Sequence, residues 1–552
     1  MTSIYKAPVE EITFVLNKVL NIKELFDTDK FRDFSEELVD AIITEAAKFV
    51  DQELAPLNIV GDKNNAVLKN GVVTTAPGFK EAYEQFVTNG WNSIASPVEY
   101  GGQGVPQLVS LAISEMVSGA NMAFGLCPML TQGAIELLLK HGDNNQKEKY
   151  LRQLVSGQYT GTMCLTEPQA GSDLGAIKTT AIKNYDHYLI KGQKIFITYG
   201  DHDYTDNIIH MVLARTAPQE SGIKGISLFV VPKILSDGKV NDIKSISIEH
   251  KLGIHASPTL VLNFGDEKGA VGYLVGDENK GVEYMFTMMN NARLAVGVEG
   301  VGLAENSLQK ATDYASERVQ FGKAISLQPD IERTLLTMRS WTEAMRLLSY
   351  MIAKAIDLSE SHKDKDFRQQ NRDVVDLLIP VIKFNATEAG FLMSSEAMQV
   401  FGGMGYIEET AIAQNLRDSR IAMIYEGTNG IQAMDLVFRK IFINEGRLID
   451  SNSHFVSIYI KNSSYEQIIS EAYNKLMQTT ILVRLYDKEK LGFIAGYYTR
   501  MFGIVMGGVM MALSEKSTRE EGVFFEQKAK TIKFYMQYIL PEINYLKECI
   551  EK

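Results

Sequence analysis

Glu426 is the residue whose neighbours in the sequence most favour acid–base chemistry. It lies in the run YEGT, residues 425–428, and apolar side chains recur at spacings of three and four between residues 431 and 441. This spacing predicts one face of a helix, with Thr428 or Asn429 as its N-terminal cap. A carboxylate beside a glycine at a helix start can point into a cleft, where the helix dipole lowers its pKa and an apolar pocket raises it. Such a group suits a general base, and an ordinary exposed glutamate is the alternative interpretation.

Two segments in the middle of the chain have residue types that suit the binding of a polar ligand. Residues 163–175, MCLTEPQAGSDLG, predict a strand that leads into a loop of small residues with hydroxyl and backbone N–H donors. Residues 192–198, GQKIFIT, predict a strand that presents Phe196 and Thr198 on one face. An ordinary turn and a half-buried strand are the alternative interpretations of these two segments.

The sequence lacks the motifs of common nucleotide and metal sites. No Gly-x-Gly-x-x-Gly follows a predicted strand and no Walker motif occurs, which argues against a Rossmann site and a P-loop. The three cysteines, Cys127, Cys164 and Cys549, have no metal-binding or disulfide spacing, which fits a reducing compartment. We therefore predict no bound metal.

Length and composition indicate a multi-domain protein. A chain of 552 residues is too long for one compact core, and a formal net charge of −12 argues against a general polyanion binder. The N-terminus lacks the apolar region of a signal peptide, and the longest apolar run, residues 501–513, is too short to cross a bilayer. These features predict a cytoplasmic protein without a transmembrane segment.

Helical periodicity dominates the first 160 residues. It is present at residues 34–54, 78–89, 108–117 and 134–139. A glycine-rich stretch at residues 95–104, ASPVEYGGQG, interrupts the helices and predicts a tight loop.

Residues 161–281 change to short runs rich in β-branched side chains, separated by turns. The predicted strands are residues 188–190, 194–198, 208–214, 226–231 and 260–264. Several short strands without intervening helices indicate a compact antiparallel barrel or sandwich.

Helices return over residues 282–445. A charged run at residues 361–373 predicts a solvated loop between two long helices. Residues 446–552 form a further helical extension that contains a polar break at residues 450–453. Its small-xxx-small pattern, GIVMG at residues 503–507, allows helices to approach closely, and we interpret this segment as a buried core helix. A peripheral membrane contact is the alternative.

Four motifs together resemble those of the acyl-CoA dehydrogenases. They are residues 399–406, QVFGGMGY, residues 424–428, IYEGT, residues 166–173, TEPQAGSD, and residues 317–322, ERVQFG. The glycine-rich loop at residues 95–104 is also similar to the PxEYGGxG loop of that family.

The resemblance implies a mainly α fold with a central β domain, in the acyl-CoA dehydrogenase arrangement with an extra C-terminal helical domain. The domains that we predict are an N-terminal extension at residues 1–33, an N-terminal helical domain at 34–160, a middle β-barrel domain at 161–281, a C-terminal helical bundle that carries Glu426 at 282–445, and an additional helical domain at 446–552.

The resemblance also implies FAD as the cofactor. In the family, the position of Thr166 approaches the isoalloxazine edge and that of Ser172 approaches the pyrophosphate. The position of Phe196 flanks the flavin and that of Thr198 lies near N5, although many relatives carry Trp in place of Phe196. The cofactor-binding residues implied in this way are Met163, Leu165, Thr166, Gly171, Ser172, Phe196, Thr198, Arg318, Phe321, Gln399, Gly402, Gly403 and Thr428.

A cofactor site shared between subunits follows from the same resemblance. Arg318 would reach the pyrophosphate and Phe321 the adenine of an FAD bound by a neighbouring subunit, and an arginine fork suits phosphate oxygens. Gln399, Gly402 and Gly403 would meet the same dinucleotide. We therefore expect a homodimer or a homotetramer.

The activity implied is oxidation of a saturated acyl-CoA to the trans-2-enoyl-CoA, with an electron-transferring flavoprotein as electron acceptor. Glu426 would remove the α-proton while the β-hydrogen passes to the flavin as hydride. Some members carry their base directly before the arginine that matches Arg293, where this chain has Ala292. The substrate-binding residues implied are Ser172, Asn290, Arg293, Tyr425 and Gly427.

Residues 5–8, YKAP, and the C-terminal extension are similar to a bacterial subgroup that includes 3-methylmercaptopropionyl-CoA dehydrogenases. This subgroup implies a fatty acyl-CoA or 3-methylmercaptopropionyl-CoA as substrate. An acyl-CoA oxidase, which passes electrons to O2, is the nearest alternative. A DNA-binding flavoprotein of the same fold is a remote one, because residues 451–552 hold no Lys/Arg cluster and predict no nucleic-acid binding.

Overall fold

A computed structural model describes residues 3–552, so the first two residues of the predicted N-terminal extension lie outside the described part. In chain order, its helices are α1 (Val9–Thr13), α2 (Lys23–Phe26), α3 (Glu36–Phe49), α4 (Leu57–Lys63), α5 (Phe79–Thr88), α6 (Gln107–His141), α7 (Asn144–Gln146), α8 (Arg152–Val155), α9 (Gly281–Glu317), α10 (Pro329–Ser361), α11 (Lys365–Phe401), α12 (Ile412–Ser419), α13 (Asn429–Phe438), α14 (Arg447–Tyr459), α15 (Glu466–Val483), α16 (Lys488–Glu515), α17 (Val523–Phe534) and α18 (Glu542–Glu551). Short 3-10 and π-helical turns connect or extend several of these helices.

The strands lie mostly in the middle of the chain. They are β1 (Val67–Lys69), β2 (Val72–Thr74), β3 (Tyr159–Cys164), β4 (Thr180–Asn184), β5 (His187–Thr198), β6 (Asn207–Arg215), β7 (Ile226–Pro232), β8 (Ile243–Ile248), β9 (Thr259–Phe264), β10 (Ala270–Leu274), β11 (Val319–Gln320) and β12 (Lys323–Ala324). Residues 56–105 and 121–292 form one compact unit, and residues before 56, residues 106–120 and residues 293–552 form a second.

The first unit contains a closed β-barrel, as predicted. Antiparallel pairing joins β10 to β7 and β7 to β6, β4 pairs with both β6 and β5, and β10 pairs with β5 to close the ring. β9 and β8 extend the sheet beyond β5. The expectation of purely antiparallel pairing is wrong, because β3 and β4 each pair with β6 in parallel. All of β6 is buried, as is typical of a strand covered on both faces.

The five predicted strands correspond to four observed ones. The runs at residues 188–190 and 194–198 both belong to β5, whose register against β9 shifts between Lys194 and Ile197. Phe196 lies in this bulge with a φ of +60°. A bulge redirects a side chain away from the regular ladder. Sequence reasoning missed β4, β8 and β10, because their polar or glycine-containing sequences carry a weak strand signal.

The second unit is helical, and α16 is its most thoroughly buried element. This helix packs against α10, α11 and α13, and every residue from Met501 to Ser514 is buried. A Cβ atom on Gly503 would lie 2.1 Å from the side-chain amide of Asn385 on α11. The predicted close approach of helices at residues 503–507 is therefore confirmed, and so is the interpretation as a core helix.

One predicted break is shorter than expected and another is wrong. The charged run at residues 361–373 does separate two long helices, but the loop ends at Asp364 and α11 begins at Lys365, where Asp364 caps it by accepting from the N–H groups of Asp366 and Phe367. The polar break at residues 450–453 lies inside α14. Its buried Asn452 donates from Nδ2 to the Tyr473 hydroxyl at 3.1 Å, so one of the polar side chains that suggested a break has a tertiary partner.

Helix α6 unites the predicted helices at residues 108–117 and 134–139. Its backbone is non-helical at Asn121, with φ −158° and ψ 86°. Within residues 3–552 it is the one helix that is long and apolar enough to cross a membrane, and 72% of its most apolar 18 residues are buried. The core helices of globular proteins share this length and hydropathy, so these two properties are weak evidence for a membrane span.

A buried ion cluster fastens both chain ends to the helical bundle. Lys528 of α17 lies with its Nζ 3.0 Å from Glu343 Oε2 on α10 and also contacts Glu11 of α1. Arg346, one turn further along α10, donates from Nη2 to Glu115 Oε1 of α6 at 2.6 Å. Because these charges are buried, each of them depends on its partners for stability.

This cluster predicts a large stability loss in Lys528→Met. The free energy of unfolding should fall by about 3 kcal/mol, because the buried Glu343 would lose its ammonium partner and Glu11 would lose one of its two cations. Urea denaturation followed by circular dichroism measures the loss. Lys530→Met is the matched control, since Lys530, two residues further along α17, forms an exposed ion pair with Glu332 of α10. Equal unfolding midpoints for the two variants would contradict the assignment.

Candidate active site

Glu426 lies on a strained turn directly before α13. Its φ is +55° and that of Gly427 is +85°, so two successive residues occupy the left-handed region. A Cβ atom on Gly427 would lie 2.7 Å from Gln432 Nε2, which explains the glycine. Thr428 caps the helix by accepting from the Ile431 N–H at 3.2 Å, which confirms one of the two predicted caps.

Side chains from two helices hold this turn through its carbonyl groups. Gln432 Nε2 donates to the Glu426 carbonyl at 3.3 Å and to the Gly427 carbonyl at 3.2 Å. Lys383 of α11 donates from Nζ to the Gly427 carbonyl at 2.9 Å and to Asn429 Oδ1 at 3.0 Å. Both donors are buried, so they maintain a conformation that would be unfavourable in a free loop.

The charges around Glu426 hold its pKa near neutrality. Burial raises the pKa of Glu426 to about 7, while the charges of Arg293 and Lys383 oppose that rise. Arg293 is buried on α9 and lies with Nη1 3.5 Å from Asp435 Oδ2. The side chain of Glu426 is half-buried, which leaves its carboxylate reachable. A carboxylate with these properties suits general-base chemistry.

Sequence reasoning missed a second carboxyl group beside the first. Glu299 of α9 is 3% exposed and accepts a hydrogen bond from the hydroxyl of Tyr425, the residue before Glu426. Burial raises the pKa of Glu299 to about 8, and the charge of Glu426 adds to the rise. The available signal was a single acidic residue inside the apolar run LAVGVEGVGLA at residues 294–304.

Close helix packing brings Glu299 and Lys383 into one cluster. A Cβ atom on Gly300 would lie 2.3 Å from the Ala386 carbonyl oxygen, and one on Gly390 would lie 2.7 Å from the Gly300 carbonyl oxygen. The backbones of α9 and α11 therefore touch beside Glu299, which only residues without a Cβ permit.

In the other unit, a buried ion pair holds the TEP segment. Lys194 Nζ donates to Glu167 Oε1 at 2.8 Å and to the Leu165 carbonyl at 2.9 Å. The Ile195 N–H donates to the Thr166 carbonyl at 2.9 Å. Burial alone would raise the pKa of Glu167, but Lys194 and neighbouring N–H donors outweigh it and lower that pKa to about 2.

The structure thus joins the two predicted segments, residues 163–175 and residues 192–198. Phe196 stands out from this surface, with 59% of the side chain exposed. Thr166 and Thr198 are half-buried beside it. Of the other predicted residues in this unit, Met163 in β3 and Asn290 on α9 are half-buried, and Leu165 is buried. Gly171 and Ser172 are exposed in the loop. An exposed ring next to hydroxyl and backbone donors suits a flat polar ligand.

A third group of predicted residues lies at the other end of the second unit. Arg318 directly follows α9, whose last residue, Glu317, lies about 36 Å along the helix axis from Arg293 at 1.5 Å per residue. Phe321 is at the tip of the β11–β12 hairpin, 95% exposed with φ +52°. Tyr314 and Phe401 stack at 4.1 Å and join this end of α9 to the end of α11. Gln399, Gly402 and Gly403 are exposed there, and no atom lies within 4 Å of a Cβ on either glycine.

Comparison with known proteins identifies the family. The chain matches three family models, described as the acyl-CoA dehydrogenase N-terminal domain at residues 36–158, middle domain at 162–266 and C-terminal domain at 279–440. It is 44% identical over 458 residues to a 3-methylmercaptopropionyl-CoA dehydrogenase of Ruegeria pomeroyi, covering 80% of this chain and 77% of that one. It is 31% identical to a butyryl-CoA dehydrogenase of Syntrophomonas wolfei, covering 98% and 95%.

The chain belongs to the acyl-CoA dehydrogenase family, whose members are FAD-dependent oxidoreductases that act on CH–CH bonds. The structure of an acyl-CoA dehydrogenase complexed with FAD from Bacillus anthracis superposes with a TM-score of 0.78 at 23% identity, covering 95% of this chain and 90% of that one. The likeness of fold therefore extends well into the C-terminal extension.

The residues of this chain fit the family's cofactor. Phe196 offers an exposed ring on a strained bulge, and Thr166 and Thr198 offer hydroxyl groups beside it. Arg318 and Phe321 offer an exposed cation and an exposed ring at a site remote along α9. A stacking surface with nearby donors suits an isoalloxazine, and an arginine suits a pyrophosphate.

The Lys194–Glu167 pair predicts a linked loss of stability and cofactor affinity. In Lys194→Met, the free energy of unfolding should fall by about 3–4 kcal/mol, because Glu167 would keep a buried charge without its partner. FAD should bind more weakly, because Leu165 loses its anchor. Urea denaturation and FAD titration of the apoprotein measure the two effects, with Lys191→Met, exposed on the same strand, as control.

The same pair predicts the direction of acid sensitivity. The lowered pKa of Glu167 means that its ionised form stabilises the fold fully above pH of about 5, and this stabilisation is lost as the pH falls toward 2. Lys194→Met/Glu167→Gln should lack that part of the acid loss. An unchanged acid profile in the double variant would contradict the assignment.

Proposed function

We propose that this protein removes two hydrogens from the α and β carbons of a saturated acyl-CoA thioester and forms the trans-2-enoyl-CoA, with Glu426 as the base. The observation that carries the proposal is the half-buried carboxylate of Glu426 on its strained turn, with a pKa raised to about 7. At neutral pH such a group is ionised in a large fraction of molecules. It also has more affinity for a proton than an ordinary glutamate does.

Acidity of the α-carbon is the main obstacle, because a thioester holds this proton far more tightly than a carboxylate does. Within residues 3–552, the backbone N–H of Glu426 donates to no protein acceptor, so it is available to the thioester oxygen. A donor aimed at the oxygen where negative charge develops stabilises an enolate-like transition state. The nearby charges of Arg293 and Lys383 act in the same direction.

FAD, when bound, supplies the oxidant that takes the β-hydrogen as hydride. We propose that the exposed surface around Phe196, with Thr166, Thr198 and Ser172, holds the flavin and its phosphates. The wide separation of Arg318 from Arg293 along α9 supports a different task for Arg318, namely contact with the cofactor of a neighbouring subunit. This arrangement requires a homodimer or a homotetramer, which we propose on that ground.

We propose 3-methylmercaptopropionyl-CoA or a fatty acyl-CoA as substrate. Two similar proteins support this range, one named for 3-methylmercaptopropionyl-CoA and one for butyryl-CoA. Contacts to the substrate are proposed for Ser172, Asn290, Arg293, Tyr425 and Gly427. An electron-transferring flavoprotein is the proposed electron acceptor.

Anaerobic titration of the purified protein tests the proposal. The visible flavin band should bleach with one member of a panel of butyryl-, octanoyl-, palmitoyl- and 3-methylmercaptopropionyl-CoA, because only a dehydrogenated substrate reduces the flavin. Rapid recovery of the band in air would favour an acyl-CoA oxidase. A yellow protein that no member bleaches, or one that cannot be loaded with FAD, would contradict the proposal.

Replacement of the base gives a second test. In Glu426→Gln, the rate of flavin bleaching should fall at least about a hundredfold, because the amide cannot accept the α-proton. In the wild type, kcat/KM should rise about tenfold per pH unit on the acid side, up to the pKa of Glu426 at about 7, and this acid limb should be lost in the variant. The control is Glu471→Gln, which replaces an exposed side chain on α15, and its flavin band should bleach at the wild-type rate. Normal bleaching in Glu426→Gln with FAD bound would refute the assignment.

A further inference from the structure

We propose that Glu299 is a positioning residue of the active site, which holds Tyr425 in place and whose ionisation limits the activity on the alkaline side. This inference rests on the proposed function, because it takes Glu426 as the base. Neither the sequence motifs nor the family comparison points to Glu299. It is carried by the contact between Glu299 and Tyr425 and by the charges that surround them.

The first step of the argument is mechanical. The Tyr425 hydroxyl donates to the Glu299 carboxyl group, and Tyr425 is the residue directly before Glu426. Glu299 itself is buried in α9 at the point where Gly300 lets α9 touch α11. The contact therefore ties the turn that carries the base to a rigid helix crossing. A shift of the Tyr425 ring would move the base with it.

The second step compares Glu299 with Glu305, another buried glutamate of the same helix. Glu305 accepts from Arg346 Nη2 at 2.8 Å and from Gln309 at 2.9 Å, and these partners lower its pKa despite burial. Glu299 forms no ion pair within residues 3–552. A buried carboxyl group without a directly bonded cation is held in its neutral form at neutral pH. Glu305 is thus a structural ion, and Glu299 is a group that can change its charge.

The third step names the charges that face Glu299. The turn presents Tyr425 and the carboxylate of Glu426, and α11 presents Lys383. Arg293 of α9 faces Glu426 from the same helix as Glu299, and its partner Asp435 lies on α13. Glu426 ionises first, with a pKa of about 7, and its charge helps to hold the pKa of Glu299 at about 8.

Ionisation of Glu299 should slow removal of the α-proton. When Glu426 takes the α-proton, the carbon–hydrogen bond breaks and its electron pair moves toward the thioester oxygen. A second negative charge at Glu299 would oppose the charge that develops there. We therefore expect the protonated form of Glu299 to be the active one, and activity to decline as the pH rises above the pKa of that group.

The test is the pH dependence of kcat/KM in matched variants. In the wild type, activity should fall about tenfold per pH unit above pH 8, and Glu299→Gln should lose this alkaline limb while it keeps the acid limb of Glu426. At pH 7, Glu299→Gln should stay within about twofold of the wild type, because the amide oxygen still accepts from Tyr425. Glu305→Gln, the control on the same helix, should keep both limbs and lose stability.

Truncation separates the positioning role from the charge. Glu299→Ala should lower kcat about tenfold below pH 8 with little change in KM, because the Tyr425 hydroxyl loses its partner, and it should lack the alkaline limb. Tyr425→Phe should lower kcat to a similar extent and keep the alkaline limb. An alkaline limb that persists unchanged in Glu299→Gln would overturn the proposal and assign that limb to Lys383.

Direct titration of the Glu299 carboxyl group tests the proposal even if Glu299→Ala or Tyr425→Phe fails to fold. The infrared difference between Glu426→Gln and Glu426→Gln/Glu299→Gln isolates the protonated carboxyl group of Glu299. The titration midpoint of Glu299 in this pair should be lower than its midpoint in the wild type, because the charge at position 426 is gone. The difference between the wild type and Glu299→Gln gives the wild-type midpoint. Equal midpoints would overturn the proposal. Activity that survives Glu426→Gln would instead refute the proposed function, so the two failures are distinguishable.

Discussion

The constraint on which this site depends is the placement of a carboxylate charge where water no longer stabilises it. Glu426 lies in a left-handed turn, half-buried, with cationic side chains near it but without an ion pair of its own within residues 3–552. A direct partner would make it a weak base, and complete isolation would keep it protonated. Lys383 avoids both extremes. Its ammonium group donates hydrogen bonds to the Gly427 carbonyl and to Asn429 Oδ1, and it acts on the Glu426 carboxylate only through its charge.

The helical scaffold can be understood from this requirement. Lys383 and Asn385 lie two residues apart on α11, and Asn385 donates to the Thr499 carbonyl of α16 at 3.0 Å. Helix α16 also packs against α13, which begins directly after the strained turn. The C-terminal extension therefore forms the support behind both elements that hold the base. A buried lysine and a turn with two positive φ values need such rigid surroundings, because either would relax in a looser fold.

Most of the fold and the position of the candidate base Glu426 at a helix start could be predicted from the sequence, because their signals are local. YEGT and TEPQAGSD are contiguous motifs, and alternation of helical and strand patterns gave the helical, barrel and helical order. Glu299 could not be found in this way, because its contact with Tyr425 spans 126 residues of sequence. The wrong break within α14 has the same cause, since Asn452 gains its partner Tyr473 only in the folded chain.

Comparison of two carboxyl groups shows why only one of them is suited to be the base. Glu167 receives an ammonium group at 2.8 Å together with backbone N–H donors, and its pKa falls to about 2. It is fixed as an anion and serves to hold a loop. Glu426 faces cations without direct contact, and its pKa of about 7 lets it exchange a proton under working conditions. Both glutamates have cations near them in a desolvated setting, so direct contact decides which of them is structural and which is reactive.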